Sequence, residues 1–178
     1  MIYTIGHGNR SIGEFVGLLE GPRIECVVDI RAYPASRRHP QFAREALDRS
    51  LADAGIRYVW EGNALGGRRK PGINSPNVAL KNPGFRAYAD HMATETFQDG
   101  LKRLLEQGRS ARTAILCAER LPWQCHRNLV ADSLVARGTR VLHLLGPEKS
   151  IEHVLSRFAR SDGKQLVYDA GEQLTLAV

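Results

Sequence analysis

The densest group of chemically reactive side chains in the sequence lies in one short segment, residues 117–127. Its reactive members are Cys117, Glu119, Cys125, His126 and Arg127. The thiolate form of cysteine is the nucleophile, and the pKa of a thiol falls at a helix N-terminus or beside a cationic side chain. Cys125 precedes a predicted helix and lies two residues before Arg127. The segment therefore predicts a catalytic thiol at Cys125 or Cys117, and the alternative is that both are ordinary buried packing residues.

The same segment contains side chains that could ligate a metal. Structural zinc sites usually separate paired ligands by about two to four residues. Here the two cysteines are eight positions apart, and His126 directly follows Cys125. This spacing disfavours a metal, so we predict no metal and no cofactor for this protein.

Two further polar loops could complete a catalytic site. His7 lies between two glycines after a predicted strand, and with Glu119 it is a candidate general acid or base. Asp29 and Arg31 lie at the end of another predicted strand, where they either form an ion pair or orient a substrate. The His7 loop lacks the further glycine of a dinucleotide fingerprint, which argues against a dinucleotide site.

Basic residues are concentrated in the first half of the chain. Lys and Arg number 25 against 19 Asp and Glu, which gives a net charge of +6. Residues 31–70 alone carry a surplus of +5. Guanidinium groups bind phosphate through paired hydrogen bonds, so we predict an anion-binding surface, with a merely solvated surface as the alternative. The residues predicted to bind substrate are Arg10, Asp29, Arg31, Arg37, Arg38, Arg68, His126 and Arg127.

Short apolar runs alternate with helical patterns along the chain. Ser11 and Glu14 form a capping box at the start of the first helix. Residues 62–84 are predicted to be a long loop, and 166–178 a terminal hairpin or edge strand. Strands are predicted at 2–5, 24–30, 57–60, 114–117 and 140–145, and further helices at 43–54, 85–107 (one long or two short), 128–137 and 150–160.

This alternation predicts a single α/β domain over residues 1–178, with the region from 145 onward the least defined. Helices are expected on both faces of a mainly parallel sheet, a three-layer α/β/α arrangement. In such sheets ligands bind outside the carboxyl ends of the strands. The loops that contain His7, Arg31, Glu61 and Cys117 all follow strands, so we expect them on one edge.

The composition excludes several classes of protein. With 178 residues, 43% of them hydrophobic and 25% charged, the chain is neither disordered nor fibrous. No apolar run approaches the roughly 18 residues that span a bilayer, and no signal peptide is recognisable, so we expect a soluble, cytoplasmic protein with no membrane partner. Three cysteines are an odd number and too few for a disulfide framework. The sequence leaves the oligomeric state open.

Several ordered motifs between residues 2 and 144 resemble a single family. They are Thr4-Ile-Gly-His7-Gly-Asn-Arg10-Ser, Val28-Asp29-Ile-Arg31-Ala-Tyr-Pro34-Ala-Ser-Arg37-Arg38, Pro40-Gln-Phe42, Gly55-Ile-Arg-Tyr58, Leu65-Gly-Gly67-Arg68, Phe85-Arg-Ala-Tyr88-Ala-Asp, Leu116-Cys117-Ala-Glu119 and Cys125-His126-Arg127. Together they resemble the bacterial family catalogued as domain of unknown function 488. The resemblance implies a single α/β domain and places most of the candidate residues above among the family's motif positions. It implies no activity, because the family has no established reaction.

Three functions fit these residues. The favoured one is an enzyme acting on an anionic, phosphate-bearing substrate, a nucleotide or nucleic-acid end, with Cys125 or Cys117 as nucleophile. The second is a non-catalytic nucleic-acid-binding module that uses the basic segment, whose affinity would fall steeply with salt. The third is a rhodanese-like sulfurtransferase, for which a persulfide on one cysteine is expected.

Overall fold

Parallel strands form the centre of the structure, a computed structural model that describes residues 1–35, 37–70, 72–162 and 165–169. The main sheet has the strand order β3-β2-β4-β1-β5-β6, in which β1 to β5 are parallel and β6 pairs antiparallel with β5. β7 and β8 form a separate antiparallel pair. These strands are β1 (Ile2–Gly6), β2 (Cys26–Asp29), β3 (Arg57–Trp60), β4 (Thr113–Cys117), β5 (Val141–Gly146), β6 (Lys149–Glu152), β7 (Ala159–Asp162) and β8 (Gln165–Tyr168).

Helices connect the parallel strands, as the sequence predicts for an α/β fold. They are α1 (Ile12–Glu20), α2 (Arg44–Asp53), α3 (Gly62–Leu65), α4 (Pro83–Met92), α5 (Glu95–Ser110) and α6 (Arg127–Val135), with short 3-10 helices at Pro40–Phe42 and Pro122–Gln124. Across the described ranges, no helix combines the length and apolar character needed to cross a membrane. The predicted α/β class is confirmed.

Each face of the sheet carries its own core. Neighbouring residues of a strand point to opposite faces, so Val27 packs with Phe15 of α1 and Leu51 of α2. Val28, the next residue of β2, packs on the other face in the core that includes Leu104 of α5. Full burial of one such side chain contributes about 1.5–3 kcal/mol. The two cores therefore hold the strand ends in fixed positions.

The predicted loop at 62–84 contains helical segments at both ends, which corrects the prediction. Gly62–Leu65 form α3, and its Ala64 and Leu65 are buried in the core that α5 completes. These contacts join residues far apart in the chain, so no local periodicity reveals them. At the other end, α4 begins at Pro83 after the Asn82 cap.

The region 85–107 forms two helices. α4 ends at Met92, and Thr94 caps the start of α5 by accepting a hydrogen bond from the Phe97 N–H. A Thr side chain stabilises a helix start because it satisfies one of the free N–H groups of the first turn. Of the two alternatives left open by the sequence, the structure has the pair of short helices.

The prediction of a helix at 150–160 is wrong. Lys149–Glu152 form β6, and Ile151 pairs there with His143. A tight turn with Glu148 at a φ of 52° folds the chain back onto β5. Pairing with β5 satisfies the backbone of Lys149–Glu152 in place of the hydrogen bonds of a helix.

The terminal hairpin lies earlier in the chain than predicted. Ala159–Asp162 pair with Gln165–Tyr168, so only β8 falls within the range 166–178 where a hairpin or edge strand was expected. Residues 170–178 lie outside the described residues. The pairing partner of β8 is β7, whose first two residues, Ala159 and Arg160, lie within the range predicted to be helical.

A buried chain of hydrogen bonds ties this hairpin to the sheet. Thr4 Oγ1 lies 2.7 Å from His143 Nδ1, and His143 Nε2 lies 2.9 Å from His153 Nδ1. His153 Nε2 reaches Asp132 at 3.0 Å, and the Tyr168 hydroxyl donates to the same carboxyl at 2.9 Å. Every group in this chain has a partner when the Thr4 hydroxyl donates to His143 Nδ1, His143 Nε2 donates to His153 Nδ1 and His153 Nε2 donates to Asp132. His143, in β5, is therefore hydrogen-bonded through both of its ring nitrogens.

We predict that Tyr168→Phe lowers the free energy of unfolding by about 1.5–3 kcal/mol, because a buried carboxylate loses a hydrogen bond. Urea unfolding measures the change. The control is Tyr33→Phe, since Tyr33 is 71% exposed and its substitution should change stability by less than about 0.5 kcal/mol. Equal stability of both variants would contradict a stabilising role for the Tyr168 hydrogen bond.

Candidate functional site

Neighbouring strand ends bring the candidate residues together. Cys117 is the last residue of β4, while His7 and Ile30 follow β1 and β2. The pairing of the strands continues into these loops: the His7 N–H donates to the Cys117 carbonyl at 3.1 Å, and the Ile30 N–H donates to the Leu116 carbonyl at 3.0 Å. The alternation of strands and helices predicts that these loops converge at one edge of the sheet, and this prediction is confirmed.

The chain returns to this edge at the start of α6. The 3-10 helix Pro122–Gln124 leads into Cys125, whose N–H donates to the Pro122 carbonyl at 3.1 Å. Proline suits this start, because its φ is fixed and its missing N–H would have no partner there. His126 is the N-cap residue of α6. Cys117 and Cys125, eight positions apart in the sequence, therefore have their sulfurs within 4.8 Å of each other.

His126 lies beside both thiols. Its Nδ1 is 3.9 Å from the Cys117 Sγ and 3.9 Å from the Cys125 Sγ. Its Nε2 is 3.2 Å from the Ile30 carbonyl oxygen, which can only accept a hydrogen bond, so Nε2 carries the hydrogen. When the ring is neutral, its Nδ1 carries no hydrogen and can accept a proton from either thiol.

The ring of His126 is held from two sides. The Tyr88 ring packs against it at a centroid distance of 4.8 Å, and the Tyr88 hydroxyl donates to the Leu65 carbonyl at 2.6 Å. Gly67 lies so close to the ring that a Cβ at this position would be 2.9 Å from the His126 Nδ1. Glycine at 67 therefore leaves Nδ1 accessible.

Arg127 supplies a buried positive charge behind the thiols. Its backbone N–H donates to the Cys125 Sγ at 3.3 Å. The side chain is 1% exposed, and its Nη2 donates to the carbonyl oxygens of Glu119 and Arg120 at 3.2 and 3.3 Å. Its Nε and Nη1 have no hydrogen-bond partner within the described part of the chain. A buried cation in this state favours a nearby anion, and the Arg127 charge acts to lower the pKa of both the Cys117 and the Cys125 thiol.

The two thiols influence one another strongly. The hydrogen bond from Cys125, with the effects of His126 and Arg127, lowers the pKa of the Cys117 thiol well below its ordinary value. Burial, together with the hydrogen bond and the charge of Cys117, raises the pKa of the Cys125 thiol well above its ordinary value. Such coupled groups release their protons in two separate steps. These opposite shifts favour loss of the proton from Cys117 before loss of the proton from Cys125.

A cleft of about 380 Å³ opens directly onto the thiols. Six of the sequence-predicted residues line it, namely Arg31, Arg68, Cys117, Glu119, Cys125 and His126. Its other walls are Ala32, Tyr33, Gly67, Asn82, Gly84, Phe85, Tyr88, Ala118 and Gln124. The Arg68 guanidinium lies 5.8 Å from the centroid of the Tyr33 ring, at the exposed side of the cleft. The cleft thus combines reactive sulfurs, cationic groups and aromatic surface.

Arg31 is fixed at the cleft by a carboxylate. Its guanidinium donates to both oxygens of Asp29, the closest contact being 2.6 Å, and to the Phe42 carbonyl at 2.9 Å. The Tyr58 hydroxyl donates to the same Asp29 carboxylate at 2.7 Å. Asp29 is fully buried and absent from the cleft wall, so it positions Arg31. The ion-pair alternative for Asp29 and Arg31 is confirmed, and this pair presents Arg31 to the cleft.

His7 lies behind Arg31 and is held neutral. Its Nδ1 lies 2.9 Å from the Gly8 carbonyl oxygen and donates to it, while Nε2 faces the Arg31 Nη1 at 3.4 Å. Its ring stacks on Phe42 at 4.3 Å. Burial lowers the pKa of His7 to about 4, and the Arg31 charge acts in the same direction. The structure does not bring His7 to the cleft wall, so Glu119 is the predicted acid or base that lies there.

The remaining predicted anion-binding residues are placed away from the cleft. Arg10 is buried and donates to the Gly6 and Leu145 carbonyl oxygens. Arg37 and Arg38 are exposed on the loop after β2. Glu61, a further candidate acid, pairs with Arg103 through two hydrogen bonds of 2.8 Å. The structure therefore separates the surface arginines from those at the thiols.

Sequence reasoning missed several residues of the cleft. Asn82, Phe85 and Gln124 line it, and Tyr88 positions the His126 ring. Phe85 and Tyr88 look like ordinary helical core positions, because their spacing matches the buried face of a helix. The only available signal was their occurrence in one of the motifs of the resemblance, since α4 reaches this edge through tertiary packing.

The donor atoms of Cys117, Cys125 and His126 all lie within 4.8 Å of one another. The sequence spacing argued against a metal, but the fold brings these atoms together through the strand end and the helix start. Two thiols and one imidazole are a donor set suited to zinc. These are the residues that could hold a metal ion.

Comparison with known proteins gives one match. The family profile described as domain of unknown function DUF488 matches residues 11–134, more than half of the 178-residue chain. Searches of the curated proteins and of the solved structures matched nothing. The matched range includes α1 and the segment from Cys117 to Arg127.

We predict that Gly6→Ala destabilises the protein by about 1–3 kcal/mol through overpacking. A Cβ at this position would lie 1.8 Å from the Glu119 carbonyl oxygen and 2.8 Å from the Arg127 Nη1. Gly17→Ala is the matched control, because no atom lies within 4 Å of its Cβ position in α1. That variant should gain about 0.5–1 kcal/mol from helix propensity. Thermal unfolding of both variants measures these two changes in stability. A Gly6→Ala variant as stable as the wild type would show that the 119–120 loop moves away freely.

A second prediction concerns acid stability. Burial lowers the pKa of His7 to about 4 and that of His143 to about 3, each from an ordinary value of 6.5. Between these values the unfolded chain binds more protons than the folded protein, so stability decreases as the pH falls below 6.5. Each histidine contributes a slope of about 1.4 kcal/mol per pH unit.

Urea unfolding across this pH window measures the slope. His7→Asn retains a donor for the Gly8 carbonyl and removes one titrating group. Its slope should therefore be smaller than that of the wild type by about 1.4 kcal/mol per pH unit. An unchanged slope would show that His7 is protonated in the folded protein.

Proposed function

This chain belongs to the family described as domain of unknown function DUF488, a description that names no reaction, and we propose that it is a thiol-dependent enzyme acting on an anionic, phosphate-bearing substrate. One observation carries the proposal. The sulfurs of Cys117 and Cys125 both lie 3.9 Å from Nδ1 of His126 at the floor of an open cleft. A nucleophile beside an oriented base is the general arrangement of covalent catalysis.

In this proposal the thiolate attacks the phosphorus atom of the substrate. An S–P bond forms as the P–O bond to the leaving group breaks, and the leaving oxygen takes up a proton. Glu119, exposed on the cleft wall, or a protonated His126 supplies that proton. Attack of water on phosphorus then breaks the S–P bond and restores the thiolate, while the base accepts the proton of the water.

The cleft walls support an anionic substrate. Arg68 lines it with an exposed guanidinium, which can bind phosphate oxygens through two hydrogen bonds, and Arg31, paired with Asp29, lies beside it. Tyr33 and Phe85 offer flat apolar surface beside them, as a nucleobase requires. Arg37 and Arg38, exposed on the loop after β2, extend the positive surface beyond the cleft. A nucleotide or the phosphorylated end of a nucleic acid has both features.

A second candidate function, sulfur transfer, is favoured by the second thiol. A thiolate that attacks the outer sulfur of thiosulfate forms a persulfide and releases sulfite, with no net oxidation. The neighbouring thiolate, within 4.8 Å, could then attack the outer sulfur of that persulfide, so that a new S–S bond forms as the first one breaks and the first cysteine leaves as a thiolate. Thiosulfate treatment followed by mass spectrometry should then add the mass of one sulfur to a single cysteine.

The test replaces each cysteine singly by serine. The reduced protein is assayed for phosphate release from nucleoside monophosphates and from phosphorylated oligonucleotides. We expect Cys117→Ser and Cys125→Ser to lower kcat/KM by at least about 100-fold, the scale of a lost catalytic group. Cys26→Ser is the matched control, because Cys26 is also buried but lies at the opposite end of the sheet.

Three outcomes decide between the candidates. Loss of turnover in both site variants, with melting temperatures near that of the wild type, supports the thiol mechanism. Turnover that survives in both variants overturns it. A wild type that releases no phosphate but gains one sulfur from thiosulfate replaces phosphate chemistry by sulfur transfer.

A further inference from the structure

The donor geometry at the base of the cleft fits a metal ion. In a tetrahedral zinc site the Zn–S and Zn–N bonds are about 2.3 and 2.0 Å, so neighbouring ligand atoms lie about 3.5–3.8 Å apart. Here Nδ1 of His126 is 3.9 Å from each of the two Sγ atoms, and all three atoms lie within 4.8 Å. The N···S separations exceed the tetrahedral value by about 0.4 Å, and the S···S separation, within 4.8 Å, exceeds it by at most about 1 Å, so small side-chain movements would bring the donors to coordination distance.

The surroundings of these donors match those of metal ligands. A ligating histidine normally donates its other ring N–H to a carbonyl or carboxylate, and His126 Nε2 donates to the Ile30 carbonyl. This bond leaves Nδ1, the atom facing the sulfurs, as the free donor. The Arg127 backbone N–H donates to the Cys125 Sγ, which stabilises negative charge on that sulfur.

The fourth position of the site would face the cleft. All three donor residues line its wall, so a metal there has protein ligands on one side and open space on the other. Zinc sites with four protein ligands are structural, whereas those with three keep a position for water or substrate. The open side therefore indicates a site of the second kind.

We propose that Cys117, Cys125 and His126 form a binding site for Zn²⁺, with an exchangeable fourth ligand in the cleft. Binding forms two Zn–S bonds and one Zn–N bond, and the thiols release the protons they still carry. Two thiolates neutralise the charge of the ion. The metal withdraws both sulfurs from nucleophilic attack, so the zinc-bound form and the thiol enzyme are separate states, and this proposal stands independently of the proposed function.

The test uses Co²⁺, whose visible spectrum reports its ligands. The full chain is reduced, freed of metal by a chelator and titrated with Co²⁺. We expect the d–d bands of a tetrahedral ion and a sulfur-to-cobalt charge-transfer band, both abolished when Zn²⁺ displaces cobalt. Cys117→Ser and Cys125→Ser should each weaken Zn²⁺ binding by more than the roughly 10–100-fold that loss of a second-shell partner causes. Cys26→Ser should leave the affinity unchanged.

A second measurement needs no variant and guards against misfolding. Alkylation by iodoacetamide, mapped by mass spectrometry, is compared with and without Zn²⁺. Protection of both Cys117 and Cys125 supports the site. Absence of the tetrahedral bands, or zinc binding with neither cysteine protected, overturns it. Phosphate release by the metal-free protein is scored separately, so failure of the enzyme proposal and failure of the metal site are distinguishable.

Discussion

The hydrogen bond from His126 Nε2 to the Ile30 carbonyl oxygen determines what the site can do. A backbone carbonyl cannot donate, so this contact assigns the ring hydrogen to Nε2 and leaves Nδ1 free. Nδ1 faces both sulfurs, and for that reason the same ring can act as a base toward a thiol or as a donor to a metal. A rotation of the ring by 180° about χ2 would place a carbon atom at the sulfurs, and neither chemistry would then be available. Ile30 is itself held by the continuation of strand pairing to Leu116.

Charge balance connects this contact to the rest of the edge. The Arg127 guanidinium is almost completely buried, and carbonyl oxygens rather than a carboxylate receive its hydrogen bonds. A cation in that position stabilises a thiolate nearby. The absence of a Cβ at Gly6 allows the Glu119 carbonyl to approach β1, and so to receive one of these bonds. Asp29 has the opposite effect on Arg31, whose charge it neutralises while it presents the guanidinium to the cleft.

The two proposals depend on the same three side chains but on different properties of them. Nucleophilic attack needs one sulfur to be free and accessible, whereas zinc needs both sulfurs and Nδ1 together. The cleft fits either proposal, because the exposed Arg68 could attract an anion to a sulfur or to a metal-bound water. Under these two proposals, the supply of free metal would decide which chemistry takes place.

The sequence by itself determined the alternation of strands and helices through residue 145, and with it the edge where Cys117, Glu119 and Arg31 would meet, because parallel strands must end together. It also identified Cys117 and Cys125 as candidate reactive thiols, although their eight-residue separation in the sequence argued against a metal site. Only the tertiary structure placed His126 between two sulfurs, moved His7 behind Arg31 and buried Arg127, since these depend on side-chain orientation and on carbonyls from other loops. It also replaced the predicted helix at 150–160 by β6, because the free edge of β5 offered hydrogen bonds that no local pattern encodes.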